Sequence, residues 1–453
     1  MKSLLKSVKI LIYSVLLVTA CALTVFAHDR LDKGQYKYHW NHNLPGQYAH
    51  LAVRKNVTDL TSAEKTAFVK AIKTLKTVIP PGSKVSIYDQ FVAIHIGATR
   101  LIHNHKGHSD GSVQELAHEN AAFFPWHREY IRRFEQALQA VDPTVTLPYW
   151  DWTDAKALDV IFNDDFLGSN GQGVTIKIPN QGNFTGGPVP GAFSAANGWV
   201  MNPALNIDQD TNTSLGTSLV RFLQLPPATD YPVPKKDVER ALSLNNYSLF
   251  RPALEGFISV DEQGKVTPGG FIHNYIHGLV GGVQIDASTR PVKFKGLGTM
   301  SNIPSSPYDP VFWLHHANAD RLWAQWQENG HKGSHFYPSD GQAYGHNLKD
   351  LMWPWDGGMS TPKATALGDL VPLLPNFNSD DLVRPIDVLN HRELGYTYET
   401  REKETRKEFY QRGQGDVVGK GTRGIVSPSP SCASMPKGLR PPPMKVDCVS
   451  GGV

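Results

Sequence analysis

The chain has 453 residues, 40% of them hydrophobic and 19% charged, enough for one large catalytic domain with long loops and a tail. Its 40 Gly and 32 Pro suit a loop-rich globular protein without a disorder signature over most of its length. A formal net charge of +3, with no basic stripe or Lys/Arg block, argues against nucleic acid as a partner.

At the N-terminus, Lys2, Lys6 and Lys9 precede an apolar run from Ile10 to Phe26, the pattern of a secretory signal over residues 1–27 with cleavage after Ala27. Val18-Thr19-Ala20 before Cys21 also fits a lipoprotein site. An uncleaved membrane anchor is a third reading, because about 17 residues is marginal for a span. Each places the bulk of the protein outside the cytoplasm. With Cys21 in this segment, Cys432 and Cys448 remain, and two Cys in an exported Pro-rich tail point to one disulfide.

Leu60–Thr77 reads as an amphipathic helix, with Thr61 or Ser62 as N-cap and Phe68, Ile72 and Leu75 at helical spacing. Further helices are expected at about 88–100 and 126–140. Residues 155–245 are rich in Gly, Asn, Pro and Thr and read as an irregular insertion with short strands or turns. Helices resume around 238–242, 270–280 and 310–327. Near residue 400 the composition turns first charged and then Ser/Pro/Gly-rich, so a boundary separates residues 28–400 from a tail at 401–453.

The 18 His are concentrated in a few places. His118 and His127 share one stretch, with His95 upstream in YDQFVAIH. His273 and His277 stand at i and i+4, where two imidazoles project from one helix face and can grip one ion. The bland alternative is a pair of surface histidines, but Ile272, Ile276, Leu279 and Val280 flank them and suggest burial. His315-His316 opens the helix at 310–327. Adjacent histidines point about 100° apart on a helix, so His316 is taken as the ligand and His315 as a neighbour. Asp320, one turn on, is placed to accept the second N–H of His316. Six imidazoles without a carboxylate ligand motif disfavour zinc hydrolase, non-haem iron and di-iron sites, and suit a copper pair.

The string HENAAFFPWHREYIRRFE resembles the first copper motif of the tyrosinase and polyphenol oxidase family, the type-3 dicopper proteins. HNYIH followed by DPVFWLHHANADRLWAQW resembles the second, in the same order and separation. VRKNVTDLT, LPYWDWT, GPVPGAF, SLFRPALEGF and LGYTY extend the likeness over roughly residues 50–400. The resemblance implies a mainly α fold, an antiparallel helical bundle around two copper ions, with long irregular loops and short strands. It also implies oxidation of monophenols or o-diphenols to o-quinones by O2. Alternatives are a catechol or o-aminophenol oxidase without monophenol hydroxylation, or an oxygen carrier of haemocyanin type.

Carried over by position, His95, His118 and His127 would hold one copper, and His273, His277 and His316 the other. The stretch between His95 and His118 is unusually long and contains His103, an alternative first ligand, together with His105 and His108. Asn274 and Glu255 resemble a pair that orients a water assisting phenol deprotonation, although the segment DEQGKVTPGG sets Glu255 far upstream of His273. Gly278 would leave room at the pocket mouth, and Phe123, Phe312 and Trp323 would pack around the site. Leu116 stands where some eukaryotic members carry a thioether-forming Cys. Small phenols and O2 are the expected partners, with a membrane involved only if the N-terminal segment is an anchor. The tail is read as a surface segment, or as a cover for the site as in some relatives.

Overall fold

A computed structural model describes residues 51–400 apart from 101, 105–112, 209–210, 212, 287–292 and 360–364. The signal segment, Cys21, His105, His108, the Cys432–Cys448 pair and the tail lie outside the described residues. Two compact units divide between Glu399 and Thr400.

The first unit opens with strand β1 (Ala52–Arg54) and helix α1 (Ser62–Thr77). Thr61 caps α1 with a reciprocal pair: its Oγ1 accepts from Glu64 N at 3.2 Å, and Glu64 Oε2 accepts from Thr61 N at 2.8 Å. Helix α2 (Ile87–Arg100) follows, then a hairpin of β2 (Ile102–Asn104) and β3 (Val113–Glu115). Helix α3 (Phe123–Val141) is buried along almost its whole length. The residue 155–245 region holds a short helix α4 (Ala157–Ile161), strands β4 (Val174–Ile178), β5 (Gly182–Pro188) and β6 (Val220–Arg221), and α5 (Lys235–Leu242).

Helix α6 (Tyr247–Glu255) was not expected, since Pro252 inside it and Gly256 after it disguise the periodicity. Hairpin β7 (Ile258–Val260) and β8 (Val266–Pro268) leads to α7 (Ile272–Gly281), and hairpin β9 (Val283–Asp286) and β10 (Lys293–Gly296) follows. Short 3-10 turns at Thr299–Ser301 and Ile303–Tyr308 precede α8 (Val311–Glu328). The last strand, β11 (Tyr396–Tyr398), pairs in parallel with β1, Arg54 opposite Tyr398. The architecture is mainly α, as the sequence implied.

One hydrophobic core runs through the unit. Helices α3 and α8 meet face to face, the Phe134 and Trp313 rings stacked at 3.5 Å and 3°. Phe91 of α2 packs edge-on against Phe134 and Trp313. Stacking at this closeness couples the helix faces that carry the histidines.

Helix α3 tolerates burial of its charges because each finds a counter-charge. Arg128 binds Asp320, Arg133 binds Asp381 at 2.7 Å, and Glu135 receives Arg54 at 2.8 Å. Asp320 therefore has a role other than the one expected of it. It accepts from Arg128, from Arg54 at 3.3 Å, and from the hydroxyls of Tyr396 and Tyr398 at 2.6 Å each. His316 Nδ1 has no hydrogen-bond partner. Although burial opposes ionisation of Asp320, the two guanidiniums outweigh it and hold the carboxyl below its usual range.

Candidate metal centre

Two groups of histidines converge in the core. One ring nitrogen of each of His95, His118 and His127 lies within 4.8 Å of the others. The same holds for His273, His277, His315 and His316. All seven side chains are buried. His95 comes from α2, His127 from α3, His273 and His277 from α7, and His315 and His316 from α8. His118 sits on the turn between β3 and α3.

The groups adjoin. His127 and His316 stack with centroids 4.2 Å apart and planes 15° from parallel, and His273 Nε2 lies 3.3 Å from His316 Nε2. Among the described side chains it is His95 that joins His118 and His127. For residue 103 only the backbone is described, in strand β2 opposite Gln114.

Main-chain carbonyls fix the ring tautomers. His95 Nδ1 donates to Pro304 O at 3.0 Å, His127 Nδ1 to Phe123 O at 2.8 Å, and His277 Nδ1 to Met300 O at 2.7 Å. His273 Nδ1 faces Glu255 O at 3.2 Å and Asn274 Oδ1 at 3.1 Å. An acceptor at Nδ1 requires the proton there, which leaves Nε2 as a lone pair directed into the cluster. Pro304 and Met300 belong to the 3-10 turns before α8, and nothing in the sequence marked them as partners.

A dry cluster of lone pairs is costly unless a cation satisfies it. His95 Nε2 and His127 Nε2 are buried without a hydrogen-bond partner, as are both ring nitrogens of His315. Burial lowers the pKa of His95, His127, His273, His315 and His316 well below the ordinary value, and that of His277 to about 4. Neutral imidazoles of this kind are the form that binds a metal ion. The donor set thus fits a pair of metal ions.

His315 is closer to the second group than its position on the helix suggested. Its ring stacks on His273 at 4.4 Å and 20°, and lies 5.1 Å and 82° from His316. Phe123 packs against His127 and His273, and Phe312 against His316 and His95. Trp323 instead stacks on Phe124 and covers Arg128. Gly278 is buried, and a Cβ there would make ordinary contact with Val283 at 3.4 Å and Ala228 at 3.7 Å.

A cleft of about 210 Å³ reaches the histidines, lined by His118, His273, His277, Glu255, Asn274, Phe257 and neighbouring residues. The segment separating Glu255 from His273 is the β7–β8 hairpin, which returns the chain to where it left. Gly269 N donates to Phe257 O at 3.0 Å, and Phe271 N to Gly256 O at 2.9 Å. Gly256 makes this return possible: its φ is 99°, and a Cβ would lie 1.9 Å from Phe271 O. Glu255 and Asn274 consequently line the same cleft despite their separation.

Glu255 is fully buried, with Oε1 accepting from Glu119 N at 2.7 Å and Oε2 paired with Arg251. Burial raises its pKa, against the opposing pull of Arg251 and the Glu119 amide. His118 is the exception among the histidines. Burial disfavours its charge, but the adjacent Glu115 carboxylate prevails and its pKa is raised. Glu115 and the Glu119 amide were not anticipated from the sequence.

Residues 85–329 match the family profile described as the common central domain of tyrosinase. A tyrosinase from Streptomyces glaucescens is 34% identical over 321 residues, covering 68% of this chain and 93% of that protein. Grixazone synthase from Streptomyces griseus is 32% identical over 331 residues, covering 67% and 93%. Among solved structures, a polyphenol oxidase variant from Thermothelomyces thermophila is 22% identical, covers 77% of this chain and 88% of its own, and superposes with a TM-score of 0.46.

The chain belongs to the tyrosinase and polyphenol oxidase family of type-3 copper proteins. It is a tyrosinase or catechol oxidase-type oxidoreductase, catalysing copper-dependent oxidation of phenols with O2.

Proposed function

We propose that the protein is an exported dicopper enzyme that hydroxylates monophenols and oxidises the resulting o-diphenols to o-quinones. His95, His118 and His127 would hold one copper, and His273, His277 and His316 the other. The observation that carries this reading is the meeting of two groups of buried imidazoles, with His95 Nε2 and His127 Nε2 lacking any hydrogen-bond partner. Export rests on the N-terminal sequence alone.

Copper, when bound, supplies the oxygen-binding and electron-accepting chemistry that the side chains lack. The protein's own share is shape, orientation and proton handling. Phe257, Ile303 and Pro304 give the cleft apolar walls against which a phenol ring can lie. Burial around the imidazoles keeps bulk water from the reacting oxygen. Asn274, its Oδ1 beside His273 Nδ1, lines the cleft and would help to orient a water there. Glu255 is the base that takes the phenol proton, directly or through a water, because its raised pKa brings it nearer to neutrality.

A second reading, oxidation of catechols or o-aminophenols without hydroxylation, also has an observation in its favour. Both Glu255 oxygens are already engaged, by Arg251 and by the Glu119 amide. An oxygen carrier is disfavoured by the cleft that reaches His118, His273 and His277.

The test is incubation of the copper-loaded protein with tyrosine, catechol and 2-aminophenol in air, alongside metal analysis. Colour from tyrosine supports the leading reading, and colour from the other two alone supports the second. Reversible oxygenation without turnover would sink both.

A further inference from the structure

His118 is held differently from its neighbours. His95, His127, His273 and His277 ride on helices and direct Nδ1 at main-chain carbonyls. His118 stands on a turn, and its Nδ1 meets the carboxylate of Glu115, the last residue of β3. The backbone of that turn is itself firmly anchored. Asn120 Nδ2 donates to Glu115 O and His118 O at 2.6 Å each, and Asn120 Oδ1 accepts from Ala122 N at 2.8 Å. Leu116 N ties the turn to α2 through Ala98 O at 3.1 Å. Glu119, in the left-handed region with φ 59°, sends its amide to Glu255.

The main chain is therefore set by Asn120, whereas the ring is set by Glu115. We propose that Glu115 is the positioning residue for the first copper, an inference that rests on His118 being one of its ligands. A carboxylate at Nδ1 fixes the ring orientation and the tautomer, and its full charge makes Nε2 a stronger electron donor than a carbonyl partner would. The β2–β3 hairpin between His95 and His118 acquires a purpose on this view, since its returning strand ends on Glu115. The carboxylate is about a quarter exposed at the cleft wall, so it restrains the ring from the solvent side.

The experiment is chelator competition for copper on the full chain, with metal analysis, comparing wild type with Glu115→Ala, Glu115→Gln and Glu119→Ala. Circular dichroism is recorded on each to verify the fold. Wild type is expected to retain two coppers. Glu115→Ala should hold one of them about 10- to 100-fold more weakly and the other normally. Glu115→Gln, which keeps an acceptor oxygen, should recover part of the loss, and Glu119→Ala should match wild type. Unchanged affinity in Glu115→Ala overturns the proposal. So does equal weakening of both coppers, or an equal loss in Glu119→Ala, which would mark a general charge effect. If wild type itself retains fewer than two coppers, the dicopper reading fails first and the role of Glu115 falls with it.

Discussion

His127 and His316 come from helices α3 and α8, 189 positions apart in sequence (316 − 127), yet their rings lie parallel within 15° at 4.2 Å. Each belongs to a different histidine group, so this stack is where the two half-sites touch. Neutral rings can approach this closely, whereas two imidazoliums would repel each other in so dry a setting.

Removing either ring should empty one half-site and leave the other able to bind. His127→Ala and His316→Ala are each expected to retain one copper where wild type retains two, and to lose oxidase activity to background. Metal analysis of purified variants checks this. Retention of two coppers by either variant contradicts the ligand assignment.

Glu255 should matter for one class of substrate more than the other. Glu255→Gln keeps the shape and the hydrogen bond from the Glu119 amide but cannot take a proton. The tyrosine rate is expected to fall by about 10²-fold or more, with the catechol rate within about threefold of wild type. Parallel steady-state assays decide the point, and equal losses on both substrates would remove the proton-transfer role.

Arg54 closes the unit through charge rather than through area. It bonds Glu135, Asp320 and the Tyr398 hydroxyl, with its guanidinium 3.6 Å from the Tyr396 ring centroid. Arg54→Ala leaves the buried Glu135 without its guanidinium and takes one of two guanidiniums from Asp320, and is expected to cost about 3–5 kcal/mol, read from guanidinium unfolding midpoints. Arg54→Lys should not restore it, because a single ammonium cannot make the forked contacts. A loss below about 1 kcal/mol would place this network among the weak surface pairs.

His391 gives a pH dependence away from the copper site. Burial, then the nearby Arg128, lowers its pKa to about 3. The unfolded chain takes up a proton below about 6.5, whereas the folded protein refuses it until about 3. The stabilising contribution is therefore complete above about pH 6.5 and is lost as pH falls toward 3, with a slope of up to about 1.4 kcal/mol per pH unit. His391→Gln should unfold with a correspondingly shallower pH dependence between 6.5 and 4. Identical slopes for the two proteins would contradict this.

The sequence disclosed most about residues whose function depends on local spacing. The i, i+4 pair His273 and His277, with apolar neighbours, announced both its helix and its burial. Helices α1, α2, α3, α7 and α8 were legible for the same reason. What stayed hidden depends on distant partners. Asp320 was correctly placed on a buried face but given the wrong neighbour, since Arg54 and Arg128 reach it from 266 and 192 residues away. The β1–β11 pair is only three residues long on each side, too short for a periodic signal. Glu115 escaped notice because its contact with His118 is made across a turn, where helical and strand spacing rules give no direction.

The β7–β8 hairpin has a practical bearing on protein engineering. Its stem is closed by amide–carbonyl pairs at Gly256–Phe271 and Phe257–Gly269, so Glu255 and Asn274 stay together whatever number of residues lies between them. Gln263 and Gly264 at its tip are exposed, and a reporter peptide or fluorophore inserted there would lie beyond the closed stem without lengthening the path between the cleft walls.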